Sequence, residues 1–202
     1  MASTNRRGSS GLYRCPPQAP SATSQDWKSG QKPSTLLEID GLFVFQNKRY
    51  RGWMGMKDLR GLRWAEPETE RSPLVVMSRG KTIASISLET PKIRITPLKQ
   101  DGKVRFKLRT KLTGNVIELF EQLPKSELER LAEDTIAEQI GKTYANGLEI
   151  DADLLQLEQS LYRWHNREWK RRKRESEGRL QPDSLADVVV QVSIRHSGKL
   201  KY

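Results

Sequence analysis

The chain has 202 residues, with 36 Lys and Arg against 25 Asp and Glu, a net charge of +11 and a pI near 9.9. Such a balance favours anionic partners (nucleic acid, an anionic membrane surface or an acidic protein) without choosing among them. A single cysteine, Cys15, excludes an internal disulfide framework and a cysteine metal site, and no apolar run reaches the roughly eighteen residues a membrane-spanning helix requires.

Residues 1–35 are rich in Ser, Gly, Pro, Gln and Arg and lack periodicity, so they read as a disordered, linker or expression-derived segment. Arg6 and Arg7 are followed by no apolar stretch, so no secretory leader is visible. From Leu36 the pattern changes. Residues 36–45 form a strand candidate, 46–49 a turn, and 50–54 a returning strand. Residues 56–63 suit a short helix that Trp64 closes against a sheet. Leu74 to Met77 is a short strand turned by Arg79-Gly80. Alternation runs from Ile83 to Glu89, stops at Pro91, and resumes through Ile93, Ile95 and Pro97. Asp101-Gly102 is a hairpin signal.

The strand after it is the cleanest amphipathic one. Val104, Phe106, Leu108, Thr110 and Leu112 face one way; Arg105, Lys107, Arg109 and Lys111 face the other. Four cations on one face are either an ordinary solvated surface or a positive stripe. Gly114-Asn115 is expected to end this strand.

Two amphipathic helices are predicted between Pro124 and Arg174. In the first, Leu128, Leu131, Ala132, Ile136, Ile140 and Tyr144 share a face, with Ser126 as N-cap, Glu129 in a capping box and Asn146-Gly147 as exit. In the second, Ile150, Leu154, Leu157, Leu161 and Trp164 share a face, and Asp151 or Asp153 complements the N-terminal dipole. A valine-rich strand, 188–195, closes the chain, ending at His196-Ser197-Gly198. The expected class is α+β: a mostly antiparallel mixed sheet packed on two long helices, with a small N-terminal hairpin subdomain. The domains are expected at 1–35, 36–90 and 91–202. The expected core contains Phe43, Phe45, Phe106, Leu131, Ile136, Ile140, Leu154, Leu157, Leu161, Val190 and Val192.

No catalytic constellation is visible. His165 and His196 lack carboxylates at metal-ligand spacing, Gly52, Gly55 and Gly61 lack a following Lys-Ser/Thr, and no serine elbow occurs. The carboxylate pairs Asp151/Asp153 and Glu127/Glu129 sit near helix starts, where dipole complementation accounts for them. The expectation is a non-enzymatic binding or structural protein without a cofactor or metal. Its sharpest surface signal is the basic helix end: Arg163, Trp164, Arg167, Trp169, Lys170, Arg171 and Arg172. This stretch suits an anionic membrane or acidic partner; nucleic-acid contact is the alternative, and a helix end whose cations merely answer the dipole is the third reading.

Three stretches carry a resemblance. "YANGLEIDADLLQLEQSLYRWHNREWKRR" resembles the C-terminal domain of the Ger(x)C spore germination proteins, the C-subunits of germinant receptors. Asp153, Arg163, His165 and Trp169 match the family's Asp, basic stretch and Trp. "VVVQVSIRHSGKLK" is similar to the terminal family strand, with Arg195 and Gly198 in register. "IDGLFVFQNKRYRGWMGMKDLRGLRW" is similar to its hairpin and following helix, with Arg60, Gly61 and Leu62 in register. Asn166 departs from the family's usual Pro and Gln156 from its frequent Gly. A second Trp and an aromatic-Pro pair are replaced by the 175–184 loop. The family's N-terminal domain, signal and lipidated cysteine are not seen, so a C-terminal fragment or a truncated member is expected. The resemblance implies a non-enzymatic subunit on the outer face of the spore inner membrane. Its implied partners are the integral membrane A- and B-type receptor subunits and an anionic membrane surface, not nucleic acid.

Overall fold

The computed structural model describes residues 11–14, 39–100, 103–174 and 179–195. A small antiparallel sheet has the order β1-β2-β3, with β1 (Gly11–Arg14), β2 (Gly41–Gln46) and β3 (Arg49–Gly55). β1 lies inside the segment expected to be disordered; the remainder of that segment is outside the described residues. Asn47 and Lys48 both take positive φ, 52° and 62°, giving the two-residue turn whose twist matches its strands.

The larger sheet contains β4 (Arg71–Ser78), β5 (Lys81–Glu89), β6 (Lys92–Gln100), β7 (Lys103–Leu119) and β8 (Leu185–Arg195). β5 and β6 run antiparallel to β7 in nearly one register, with Leu88 opposite Gly114 and Lys92 opposite Lys111. They form one long arm that breaks at Thr90-Pro91, where proline lacks the N–H a ladder needs. β4 pairs outside β5, and β8 lies parallel along the other edge of β7. The 90/91 boundary therefore falls within one arm: β4 and β5 join the large sheet, and the small sheet is limited to β1–β3. The Asp101-Gly102 turn lies outside the described residues, but β6 and β7 flank it as paired strands.

Gly114 does not end β7. The strand continues to Leu119, and Gly114 permits close approach of β5: a Cβ there would lie 2.3 Å from the Ser87 carbonyl oxygen. Likewise Asn146-Gly147 does not end the first helix, α1 (Lys125–Glu149). A Cβ on Gly147 would lie 2.8 Å from the Ala152 carbonyl oxygen, so glycine serves the returning loop instead. Ser126 is not the N-cap either. Pro124 occupies that position without a side-chain cap, and the Glu129 carboxylate reaches across to β8.

The second expected helix is two: α2 (Leu157–Trp164) and α3 (Asn166–Arg174). Asp151 and Gln156 take positive φ, 54° and 56°, which delays the start, and His165 leaves the helical region and breaks it. The short helix expected at 56–63 is instead a set of turns ending in a 3-10 turn, Leu62–Trp64.

The main core lies between the large sheet and the helices. Phe106, Ile136, Ile140, Leu157 and Leu161 are fully enclosed, with Val190 and Val192 at its margin and Leu131 half-buried against it. Trp64 enters this core, donates its indole N–H to Gln139 at 2.8 Å, and its carbonyl accepts from Thr110 at 3.0 Å. A second, smaller core joins Val44, Met54 and Leu59 to Ala152 and Leu154. Phe43 and Phe45 are not core residues. Val44 takes the inner face of β2, while both rings stay half-buried beside Tyr50, with centroids 6.1 and 5.5 Å away.

Candidate functional site

The loop between α1 and α2 is the junction of the molecule. Asp153 is enclosed there, and its two carboxylate oxygens accept the backbone N–H groups of Leu157 (3.0 Å) and Glu158 (2.8 Å). These are orphan donors of the first turn of α2, so Asp153 caps that helix from outside it. The Asp153 N–H donates to Gln46 of β2 at 2.9 Å, and Arg51 of β3 pairs with Asp151 at 2.8 Å. The small sheet is thereby fastened to the loop that starts α2.

Arg172 turns inward from α3. Its guanidinium donates to the Arg179 carbonyl (3.1 Å), lies 4.0 Å from the Glu158 carboxylate and stands 5.9 Å over the Phe106 ring. Tyr144 of α1 donates its hydroxyl to the Gln181 carbonyl at 2.6 Å. Burial pushes the Asp153 carboxyl up to about 6, against the pull of its two helix N–H donors. Burial, and then the Asp153 charge, push Glu158 up to about 7. Burial raises the Tyr144 hydroxyl to about 12. The cluster ties α1, α2, α3 and the 179–184 segment together.

Of the seven residues expected at the basic surface, Arg163 and Trp164 lie on α2 and the other five on α3, and six of the seven are exposed or half-buried. Trp164 is 77% exposed, and Arg163, Arg167 and Lys170 are exposed. Trp169 is half-buried against the core, meets Tyr162 edge-on at 5.0 Å and carries Lys173 5.0 Å over its ring. Arg171 pairs with Glu168. Arg172 is the exception: it is buried and belongs to the interior cluster. The helical break at His165 puts Trp164 on α2 and Trp169 on α3.

Sequence reasoning missed the Asp153–Glu158–Arg172 association. The family-matching Asp153 was its one available signal, since the other members converge only through the turn at 165. A depression of about 740 Å³ lies between the end of α1 and the start of β8, lined chiefly by Tyr144, Leu148, Leu185 and Val188. Among the described residues no group of three metal-ligating side chains occurs, and no helix is long and apolar enough to cross a membrane.

A search of curated proteins finds no match. Among solved structures, that of the GerBC protein superposes with a TM-score of 0.66 at 16% identity, covering 79% of this chain and 52% of that one. At that identity the likeness speaks for the fold, and the chain spans about half the length of GerBC. The model of the family described as "Spore germination B3/ GerAC like, C-terminal" matches residues 40–198, which takes in β2 and β3 of the small sheet, the large sheet and the helices α1, α2 and α3. The chain belongs to that spore germination family.

Proposed function

We propose that this chain serves as the C-terminal part of a germinant receptor C-subunit, a non-enzymatic module. It assembles with polytopic A- and B-type subunits at the outer face of the spore inner membrane. The observation that carries this reading is the family match across residues 40–198, nearly the whole of the described fold. The interior agrees with it. The shifted carboxyls Asp153 and Glu158 are engaged by helix N–H groups and Arg172, which gives them structural employment. The exposed Arg163, Trp164, Arg167 and Lys170 supply an aromatic and cationic face of the kind enriched at protein interfaces.

The test is affinity capture of the tagged chain from detergent-solubilised spore membranes. Recovery of multi-spanning subunits, reduced when Trp164→Ala and Arg167→Ala are combined, is the expected result. Capture that brings no polytopic protein refutes the assembly reading.

A further inference from the structure

The face of the large sheet turned away from the helices is uncovered among the described residues. The register of β6 and β7 places Lys92 opposite Lys111 and Arg94 opposite Arg109 on that face. All four side chains are exposed. Like charges directly opposite on neighbouring strands repel and destabilise a sheet. Nearby cations are answered: Arg105 reaches Asp183 at 3.3 Å, Lys107 reaches Asp187 at 2.6 Å, and Arg195 reaches Glu89 at 2.5 Å. The four central cations make no ion pair among the described residues. Together with Ile93 they line a depression of about 290 Å³.

The same face continues into an apolar end. Val75 and Met77 of β4 and Ile117 of β7 are 50%, 54% and 62% exposed. Cations beside exposed aliphatic side chains suit a bilayer surface, where the former meet phosphates and the latter the acyl boundary. A single-stranded nucleic acid would call for aromatic platforms among the cations, and the depression has none. We propose that this sheet face docks on an anionic phospholipid surface, with lipid phosphates held by Lys92, Arg94, Arg109 and Lys111. The site is distinct from the α2–α3 surface and does not depend on the receptor reading: a chain can bind vesicles and capture no subunit, or the reverse.

The experiment is sedimentation of the full chain with vesicles of phosphatidylcholine alone and of phosphatidylcholine mixed with phosphatidylglycerol. Two variants of equal charge are compared. One replaces Lys92, Arg94, Arg109 and Lys111 with Gln; the other replaces Arg163, Arg167, Lys170 and Lys173 with Gln. The wild-type chain is expected to bind only the anionic vesicles. The sheet variant should lose on the order of a thousandfold in partitioning, and the helix variant less than tenfold. The sheet variant should also melt no lower than wild type, since the substitutions relieve repulsion. Equal losses in both variants would mean that net charge alone attracts the chain, and would overturn the assignment. So would retained binding by the sheet variant, loss accompanied by a lowered melting temperature, or a wild-type preference for a single-stranded oligonucleotide over the vesicles.

Discussion

Two residues show how single positions carry strain or charge here. Gln156 takes φ 56° and ψ 35°, the left-handed region that a side chain disfavours by about 1–2 kcal/mol. The Ger(x)C proteins often have Gly at this point, and the conformation gives the reason. Asn166, which stands for the family's usual Pro, is the first residue of α3, where proline's fixed φ and missing N–H are tolerated. Gln156→Gly is therefore expected to stabilise the chain by about 0.5–1 kcal/mol in urea unfolding, the gain in backbone ease exceeding glycine's entropy. Glu158 supplies the second case. Its carboxyl is raised from 4.5 to about 7, so the folded chain holds a proton that the unfolded chain has released between those values. Its favourable contribution is complete below about 4.5 and disappears as pH rises through 7. Glu158→Gln cannot ionise. It should match wild type near the acidic end of the stable range and exceed it by about 3 kcal/mol near pH 8, as measured by denaturant unfolding at both pH values. A pH-independent difference would place the carboxylate outside the Asp153 cluster.

At the scale of elements, α1 and β8 are fitted by spacing. Glu129 and Glu133 stand one helical turn apart, about 6 Å, while Ile194 and Val192 stand two strand residues apart, about 6.6 Å. The carboxylates accept the N–H groups of Ile194 (2.8 Å) and Val192 (2.9 Å), donors on the edge of β8 that faces no strand among the described residues. An open parallel edge invites pairing with another chain, and here side chains from α1 occupy its donors. Combined Glu129→Ala and Glu133→Ala substitution should lower stability by about 2–4 kcal/mol, since charge-assisted bonds are lost and buried donors left bare. The variant should also self-associate with rising concentration in analytical ultracentrifugation. Packing at the other end of α1 is tight in a different way. A Cβ on Gly61 would lie 2.2 Å from the Gln139 carbonyl oxygen, so the turn before Trp64 lies directly on the helix backbone. That contact explains the glycine of the Arg60-Gly61-Leu62 stretch, and the Gly61 N–H donated to Thr143 holds the turn there.

For the whole molecule, the two cores differ greatly in size. The main core spans both layers, whereas the smaller one rests on Val44, Met54, Leu59, Ala152 and Leu154 and on polar ties through Gln46 and Arg51. Local opening free energy follows buried apolar contact. Amides of β2 and β3 should accordingly exchange with solvent about 10²-fold or more faster than those of β7 and α1 in native-state hydrogen exchange. Equal protection in both sheets would show that they unfold as one unit. The same division separates what could be read from the chain and what could not. Period-two alternation around Phe106 and three-and-four spacing around Ile136 and Ile140 depend on neighbours along the chain, so the strand, the helix and the α+β class were legible. The family resemblance was legible for the same reason, because its motifs are local runs in a fixed order. Gly114 and Gly147 misled as boundaries because glycine also serves close backbone approach, and only the partner segment distinguishes the two uses. Arg172 looked like its neighbours in a basic run, yet the turn at His165 points it at Glu158 and Phe106. The cation quartet needed the β6–β7 register before Lys92 and Arg94 could be set against Lys111 and Arg109. Sequence alone thus determined the fold class, the main strands, the long helix and the family, since periodicity and motif order are properties of a chain; the tertiary structure decided where several elements end and which charges are buried, which are paired and which stand open, because those depend on contacts between residues far apart along it.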